Sequence, residues 1–304
     1  MKKIFHMQLV ILLICIFSCR ATWAESYLNS DEIARYQKDG YLVIEHFISN
    51  EECDALKLEA HNIIHEYALP LSIEVFRSLN RGISQEMHYF EKQASLCIFF
   101  NEKAFLADGS LSLPLDVAVT KISHALHDIN HVFSTFSRQN KIAALISDLG
   151  LTNPLLVQSM MIFKQPKTGN EVSCHQDGTF LYTEPDTTIG LWFALEDTSI
   201  DNGCLWVIPG GHSSSLKYRF KITPEKGMHF INLDDTPWEL DKMIPLRVSK
   251  GSLIVLHGQV PHMSKANISS SIRPAYTLHL IDSFSQYSSE NWLQRSACFP
   301  FKGF

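Results

Sequence analysis

Two histidines, one aspartate and one arginine stand in an order that could hold a metal ion beside an acid-binding pocket. His175 and Asp177 flank Gln176, and His262 and then Arg273 follow far downstream. Alternate side chains of a β-strand share a face, so on a strand His175 and Asp177 would point one way and Gln176 the other. Two donors at i and i+2 can reach one ion without backbone strain. A histidine from a distant strand would complete a set of two imidazoles and one carboxylate. Such a set leaves three adjacent coordination positions open, the arrangement used by non-haem Fe(II) centres that activate oxygen. A chelating acid and dioxygen can then bind together.

The third donor has two candidates. Gly251–His257 is an apolar run ending in His257; Gly258 and Pro261 then turn the chain before His262. Spacing within the chain leaves both open, and with 14 histidines the count alone argues nothing. The His-x-Asp pattern is weak by itself, since it recurs by chance in many chains. Arg273 adds weight. It enters an apolar stretch, Ala275–Ile281, with no acidic neighbour in sequence, and a buried guanidinium there calls for an anion whose shape suits its planar fork, such as a carboxylate. Cys174 would face away from His175 on a strand and reads as a small packed thiol. Of the tryptophans, Trp192 is placed near the site and Trp206 in the core.

The elements that must position these residues lie mainly in the second half of the chain. Short strands are predicted at Val157–Phe163, Ser173–Asp177, Thr188–Leu195, Cys204–Ile208, Ser252–His257 and Ala275–Ile281, separated by Gly, Pro and Asn, with a hairpin turn at Asn202-Gly203. That spacing implies an all-β core with helical decoration, built as a double sheet or barrel. Upstream, Asn29-Ser30-Asp31-Glu32 opens a helix that stops at Asp39-Gly40. Tyr41–Ile44 follows as a strand, and Ser49 with Glu52 forms a capping box for a second helix ending near Pro70. Its buried face would carry Cys53, Leu56, Ala60, Ile63 and Ile64. A strand is predicted over residues 96–100, a turn at Asp108-Gly109, and helices over 117–127 and 130–148. The early helices would cover one sheet. No Gly-rich fingerprint lies between them, which argues against a dinucleotide fold.

Bulk properties narrow the class. The 304 residues are 45% hydrophobic and 19% charged, enough to bury a full core without crosslinks. A formal charge of −6 and the lack of a long basic run exclude an extended nucleic-acid footprint. Met1-Lys2-Lys3, the apolar stretch Leu9–Phe17 and Ala21-Thr22-Trp23-Ala24 have the layout of an export signal, too short for a permanent membrane helix. Residues 1–24 are thus read as a leader and 25–304 as a single domain, exported to a periplasmic or extracellular space if the leader is cleaved and cytoplasmic otherwise. A lipoprotein reading through Ile16-Phe17-Ser18-Cys19 is disfavoured by the bulk of Phe17. Cys53, Cys97, Cys174, Cys204 and Cys298 remain after removal of the leader, and this odd, scattered set is no disulfide framework.

Several ordered motifs agree with one family. Ser173–Asp177, Asn202–His212 and His262–Ser269 resemble the phytanoyl-CoA dioxygenase family, most closely its domain-containing branch, as do Gln158-Ser159-Met160, Phe163–Pro166, Phe180–Pro185 and Glu290–Leu293. The resemblance runs from about Asp31 to the C-terminus. It implies a double-stranded β-helix (jelly roll, cupin-like) with N-terminal helices packed on the sheet, and Fe(II), 2-oxoglutarate and dioxygen as cofactor and cosubstrates. His175 and Asp177 match the family's first two ligands. The family's distal histidine stands five residues before an Asn and eleven before the cosubstrate Arg; His262, with Asn267 and Arg273, satisfies both distances, and His257 does not. Lys121, placed on the helix before the core, Met161, Gln176 and Trp192 match positions that line the 2-oxoglutarate site, and Tyr182 a pocket wall.

The implied reaction is oxidative decarboxylation of 2-oxoglutarate to succinate and carbon dioxide, coupled to hydroxylation of a small or lipid-like substrate by a monomeric enzyme. Asp177 speaks against the halogenating variant, which needs the carboxylate absent. The look-alikes are largely intracellular, so the export-like leader is a departure. Two rivals stand beside this reading: a catalytically inactive cupin-like binding protein that kept the fold, and another metal enzyme on the same core, such as a cofactor-independent dioxygenase. The polar segment 214–250, with Lys217, Arg219 and Lys221, is either a substrate loop or a solvated insertion.

Overall fold

The structure, a computed structural model, describes residues 26–67, 96–101, 104–106, 110–167 and 171–304. The leader-like segment, Pro70 and the turn expected at Asp108-Gly109 lie outside the described residues. Helix α1 (Ser30–Asp39) begins where Asn29 accepts hydrogen bonds from the amides of Asp31 and Glu32 while Glu32 reaches back to the Asn29 amide. It ends at Gly40, whose φ of 76° suits a residue without a Cβ. Strand β1 (Tyr41–Ile44) leads into α2 (Asn50–Tyr67), opened by the reciprocal Ser49–Glu52 bonds. Cys53, Leu56, Ala60, Ile63 and Ile64 form its buried face, as the sequence pattern predicts.

Strands β2 (Cys97–Phe100) and β3 (Val119–His124) precede helices α3 (His131–Ser137) and α4 (Asn140–Asp148). The β core follows as β4 (Pro154–Lys164), β5 (Val172–His175), β6 (Thr183–Glu184), β7 (Ile189–Ala194), β8 (Leu205–Val207), β9 (Tyr218–Thr223), β10 (Gly227–Asn232), β11 (Ile244–Leu246), β12 (Leu253–His257), β13 (His262–Ser264), β14 (Arg273–Asp282) and β15 (Gln286–Tyr287). Seven strands pair in the order β1-β12-β7-β14-β4-β3-β2, and four in the order β11-β8-β13-β5. The pairs β9–β10 and β6–β15 stand apart. This is a jelly roll: two antiparallel sheets with the helices on the outer face of the larger one.

Strand alternation divides each large-sheet strand between two cores. Leu191, Phe193, Met161, Tyr276 and Leu278 pack with Leu56, Ile63, Phe133 and Ile146 of the helices. On the opposite parity, Trp192, Ala194 and Ala275 pack with Leu205 and Val207 of the smaller sheet. The functional side chains belong to this second parity, so they open between the sheets.

Three expectations are corrected. The predicted helix over 117–127 is a four-residue helical turn, Leu115–Ala118, followed by β3 and a second short turn, Leu126–Ile129. Pairing on both sides, Lys121 with Phe99 and with Ile162, outweighs local helical preference. Lys121 is therefore on a strand. The predicted helix over 130–148 is two helices, broken at Arg138-Gln139. Asn202-Gly203 does form a turn, with φ of 81° at Gly203, but the flanking β7 and β8 lie in different sheets, so it is a crossover and not a hairpin. Segment 214–250, read as a substrate loop or a solvated insertion, carries the antiparallel β9–β10 hairpin.

Candidate metal and acid-binding site

His175 ends β5 and His262 begins β13, and the two residues are direct cross-strand partners. Their rings lie 4.3 Å apart between centroids. Asp177 does not continue the strand. It sits in a single 3-10 turn, Asp177–Thr179, whose entry through Gly178 is pinned by a hydrogen bond from its amide to the Gly258 carbonyl. One donor atom from each of the three residues falls within 4.8 Å of the others.

Each imidazole is oriented by its far nitrogen. Nδ1 of His175 faces the Ser173 carbonyl at 2.8 Å, and Nδ1 of His262 faces the Val260 carbonyl at 3.0 Å. Only a protonated Nδ1 can donate to a carbonyl, which leaves Nε2 as the nitrogen each ring can offer a metal. Both Nε2 atoms face Oδ1 of Asp177, each at 3.7 Å. Burial, then the neighbouring His262 ring, pull His175 down to about 4, which keeps it neutral and able to ligate near neutral pH. Burial opposes ionisation of Asp177, but the imidazoles of His279, His262 and His175 outweigh it and hold its carboxyl well below the usual range.

The three donors open into a cavity of about 630 Å³ lined by both sheets. Arg273 lies in its wall at 2% exposure, and its Nε and Nη1 have no hydrogen-bond partner. Burial lowers its guanidinium to about 10, so it remains charged. Trp192 lays an aromatic face near it, with the guanidinium carbon 5.2 Å from the ring centroid. The Ser264 hydroxyl, in the same cavity, is also buried without a partner. A buried guanidinium and a buried hydroxyl left unsatisfied in one cavity wall are chemically able to take a carboxylate.

Lys121 lines the cavity from β3, with its ammonium 4.3 Å from the Phe99 ring centroid, and burial draws it down to about 8. Lys164, also in the wall, is drawn down to about 7 by burial and by Arg273 beside it, and it donates to the Ser264 and Lys265 carbonyls. Asn267 organises the connection into Arg273: its amide donates to the Lys164 and Ser271 carbonyls, and its oxygen accepts from Ser269.

Not every residue singled out in the sequence reaches the cavity. His175, Asp177, His262, Arg273, Trp192 and Lys121 do. Met161 does not, because its parity on β4 turns it toward the helices, and Met160 and Ile162 line the wall instead. Gln176 is fully buried elsewhere, donating to the Gln259 carbonyl and accepting from the Lys217 amide. Tyr182 is half-buried under Arg219, outside the lining. His257 packs near His212 and faces Asp186 at 3.9 Å, apart from the triad.

Cys174 is a thiol pushed up to about 12 by burial, and the five described cysteines are all free. Ser264, Lys164 and His279 also line the cavity, a role the sequence reading did not assign them. Period-two counting from His262 and from Arg273 was the available signal for Ser264 and His279. A second His/Asp group, His61, His65 and Asp116, is exposed, and both rings already bond Asp116, so it is satisfied without an ion.

Residues 36–275 match the family model described as phytanoyl-CoA dioxygenase (PhyH). A phytanoyl-CoA dioxygenase domain-containing protein 1 homolog from Dictyostelium discoideum is 40% identical over 277 residues, covering 90% of this chain and 98% of that protein. A phytanoyl-CoA dioxygenase from Arabidopsis thaliana is 37% identical over 270 residues, 88% and 94% of the two chains. Among solved structures, EctD from S. alaskensis with 2-oxoglutarate and 5-hydroxyectoine superposes with a TM-score of 0.61 at 16% identity, covering 90% of this chain and 86% of that one. The non-heme alpha ketoglutarate dependent carbocyclase SnoK gives 0.60 at 17%, covering 90% and 96%. Those two likenesses concern the fold; the family rests on the sequence matches, and by them this chain belongs to the phytanoyl-CoA dioxygenase family.

Proposed function

We propose that this chain is an Fe(II)- and 2-oxoglutarate-dependent dioxygenase that hydroxylates a small or lipid-like molecule. The observation that carries the reading is one cavity holding a convergent His-Asp-His set and, in the same wall, a buried guanidinium with unsatisfied donors. Two imidazole nitrogens and one carboxylate oxygen suit Fe(II). Arg273 and Ser264 suit the distal carboxylate of a dicarboxylic acid. Bound iron with 2-oxoglutarate would supply dioxygen activation, converting the keto acid to succinate and carbon dioxide while a C–H bond of the substrate is hydroxylated.

The protein's own contributions follow from their placement. His175, Asp177 and His262 would hold the metal on one side and leave the cavity side open. Arg273 would fix the acid, with Trp192 beside its guanidinium keeping water from competing. Lys121 would add positive charge from β3, two strands from Arg273's β14 in the same sheet. A volume of about 630 Å³ is within the ~300–1,000 Å³ of small-molecule sites, so the cavity accommodates a substrate beside the acid. The family match and the relatives named for phytanoyl-CoA dioxygenase support the reaction class, and the substrate is proposed only as a class.

The test is anaerobic loading with Fe(II) and 2-oxoglutarate, exposure to air, and measurement of succinate. Turnover is expected, and His262→Ala is expected to abolish it together with metal retention, while His257→Ala retains metal. Absence of both succinate and calorimetric 2-oxoglutarate binding would leave the catalytically inactive binding protein as the better reading. Metal loss in His257→Ala with retention in His262→Ala would overturn the ligand assignment.

A further inference from the structure

The two carboxylate oxygens of Asp177 have different surroundings. Oδ1 faces the Nε2 atoms of His175 and His262, each at 3.7 Å. Oδ2 is shut off from solvent and faces Nε2 of His279 at 3.3 Å. The contact is long for a hydrogen bond and poorly aligned as it stands, but Oδ2 has no competing partner. His279 is itself 6% exposed.

The backbone makes room for this contact. His279 lies on β14, six residues past Arg273 and on the same face, directly opposite Gly190 of β7. A Cβ at Gly190 would stand 2.7 Å from Oδ2 of Asp177 and 3.5 Å from Cδ2 of His279. No alanine fits there unless the carboxylate moves. A glycine inside a strand is unfavourable for the strand itself and marks a close approach. Here the approach is that of the Asp177 carboxylate to the His279 ring across the bare backbone of β7.

We infer that His279 is a positioning residue for the metal centre: its Nε2–H holds Oδ2 of Asp177 so that Oδ1 alone faces the metal, and Gly190 leaves the space for that contact. The inference rests on the reading of His175, Asp177 and His262 as ligands. A carboxylate free to rotate can bind through both oxygens and close one of the positions that a chelating acid needs. Held through Oδ2, it binds through one oxygen. Groups that orient metal ligands in this way change metal affinity by about 10- to 100-fold when removed.

The test uses the full chain and Mn(II) and Co(II) as probes. His279→Leu fills the volume and removes the donor, whereas His279→Gln returns an amide N–H near the Nε2 position. Anaerobic calorimetry is expected to show Mn(II) affinity falling by about 10- to 100-fold in His279→Leu and staying within about threefold in His279→Gln. The visible spectrum of the Co(II) form, which reports coordination number, is expected to change in the Leu variant and not in the Gln variant. Gly190→Ala, with His279 intact, is expected to weaken Mn(II) binding as the Leu variant does, and it decides the matter should the Leu variant fail to fold.

Wild-type affinity and spectrum in His279→Leu would overturn the positioning role, as would wild-type affinity in Gly190→Ala or a Gln variant as weak as the Leu one. If the wild type binds no Mn(II), or His175→Ala binds it equally well, the underlying ligand assignment fails as well. That outcome is distinct from the others.

Discussion

Lys121 and Arg273 face one cavity from different strands, and burial treats them differently. Arg273, lowered to about 10, keeps its charge at any physiological pH, whereas Lys121, lowered to about 8, loses its proton in mildly alkaline solution. A dicarboxylate bound nearby favours the ammonium form and raises the Lys121 value in the complex. Between the free value near 8 and the higher bound value, the complex carries more protons than its parts, so binding takes up protons and weakens as pH rises. Uptake of a single proton limits the slope to about tenfold in affinity per pH unit. Anaerobic calorimetry with Mn(II) present should therefore show 2-oxoglutarate affinity falling above pH ~8, by no more than that factor. Lys121→Met should bind more weakly at neutral pH and show a flatter profile. A profile in Lys121→Met that slopes as in the wild type would move the effect to Lys164, which burial and Arg273 bring to about 7.

Strand parity decides which neighbouring residues act on the cavity and which act on stability. Met160 lines the cavity, whereas Met161 is fully buried against the helices. Met161→Ala should therefore cost about 2–5 kcal/mol of stability in denaturant unfolding and leave 2-oxoglutarate affinity unchanged. Met160→Ala should do the reverse, costing less stability and altering the ligand pocket. Equal effects on both quantities from both variants would refute the assignment of faces. Parity also explains what was legible in the sequence. The strands of the β core, the caps of α1 and α2, and the His262–Asn267–Arg273 spacing rest on local chemistry or on motif distances, and the structure shows the strands and caps and brings His262 and Arg273 to one cavity. The path of residues 117–127 rests on pairing with β2 and β4, which lie elsewhere in the chain, so local preference misreads it as a helix. Met161 and Gln176 were carried over with a motif; the register of β4 turns Met161 away from the cavity, and Gln176, which alternation already aims away from His175 and Asp177, is buried against Gln259 and Lys217.

At the scale of the molecule, the site is a joint between two sheets. His175 and His262 come from β5 and β13 of the smaller sheet, with Asp177 immediately beyond β5; Arg273, Trp192 and Lys121 come from β14, β7 and β3 of the larger. A metal would be held almost entirely from the smaller sheet. An acid that chelates the metal at one end and meets Arg273 at the other would join the sheets. Ligands that bind only the folded state stabilise it by about 2.7 kcal/mol at one hundred times their dissociation constant. At about 2–4 °C per kcal/mol for domains approaching this size, each saturated ligand should raise the melting temperature by about 5–10 °C. Mn(II) should produce the first increment alone, and N-oxalylglycine, an unreactive analogue of 2-oxoglutarate, should add the second only when Mn(II) is present. Arg273→Ala should keep the metal increment and lose the acid increment, while His175→Ala should lose both. Scanning calorimetry of the metal-stripped chain and of these two variants checks the prediction. A full N-oxalylglycine increment without Mn(II), or one that survives in Arg273→Ala, would mean that the acid does not bridge the two sheets at this site.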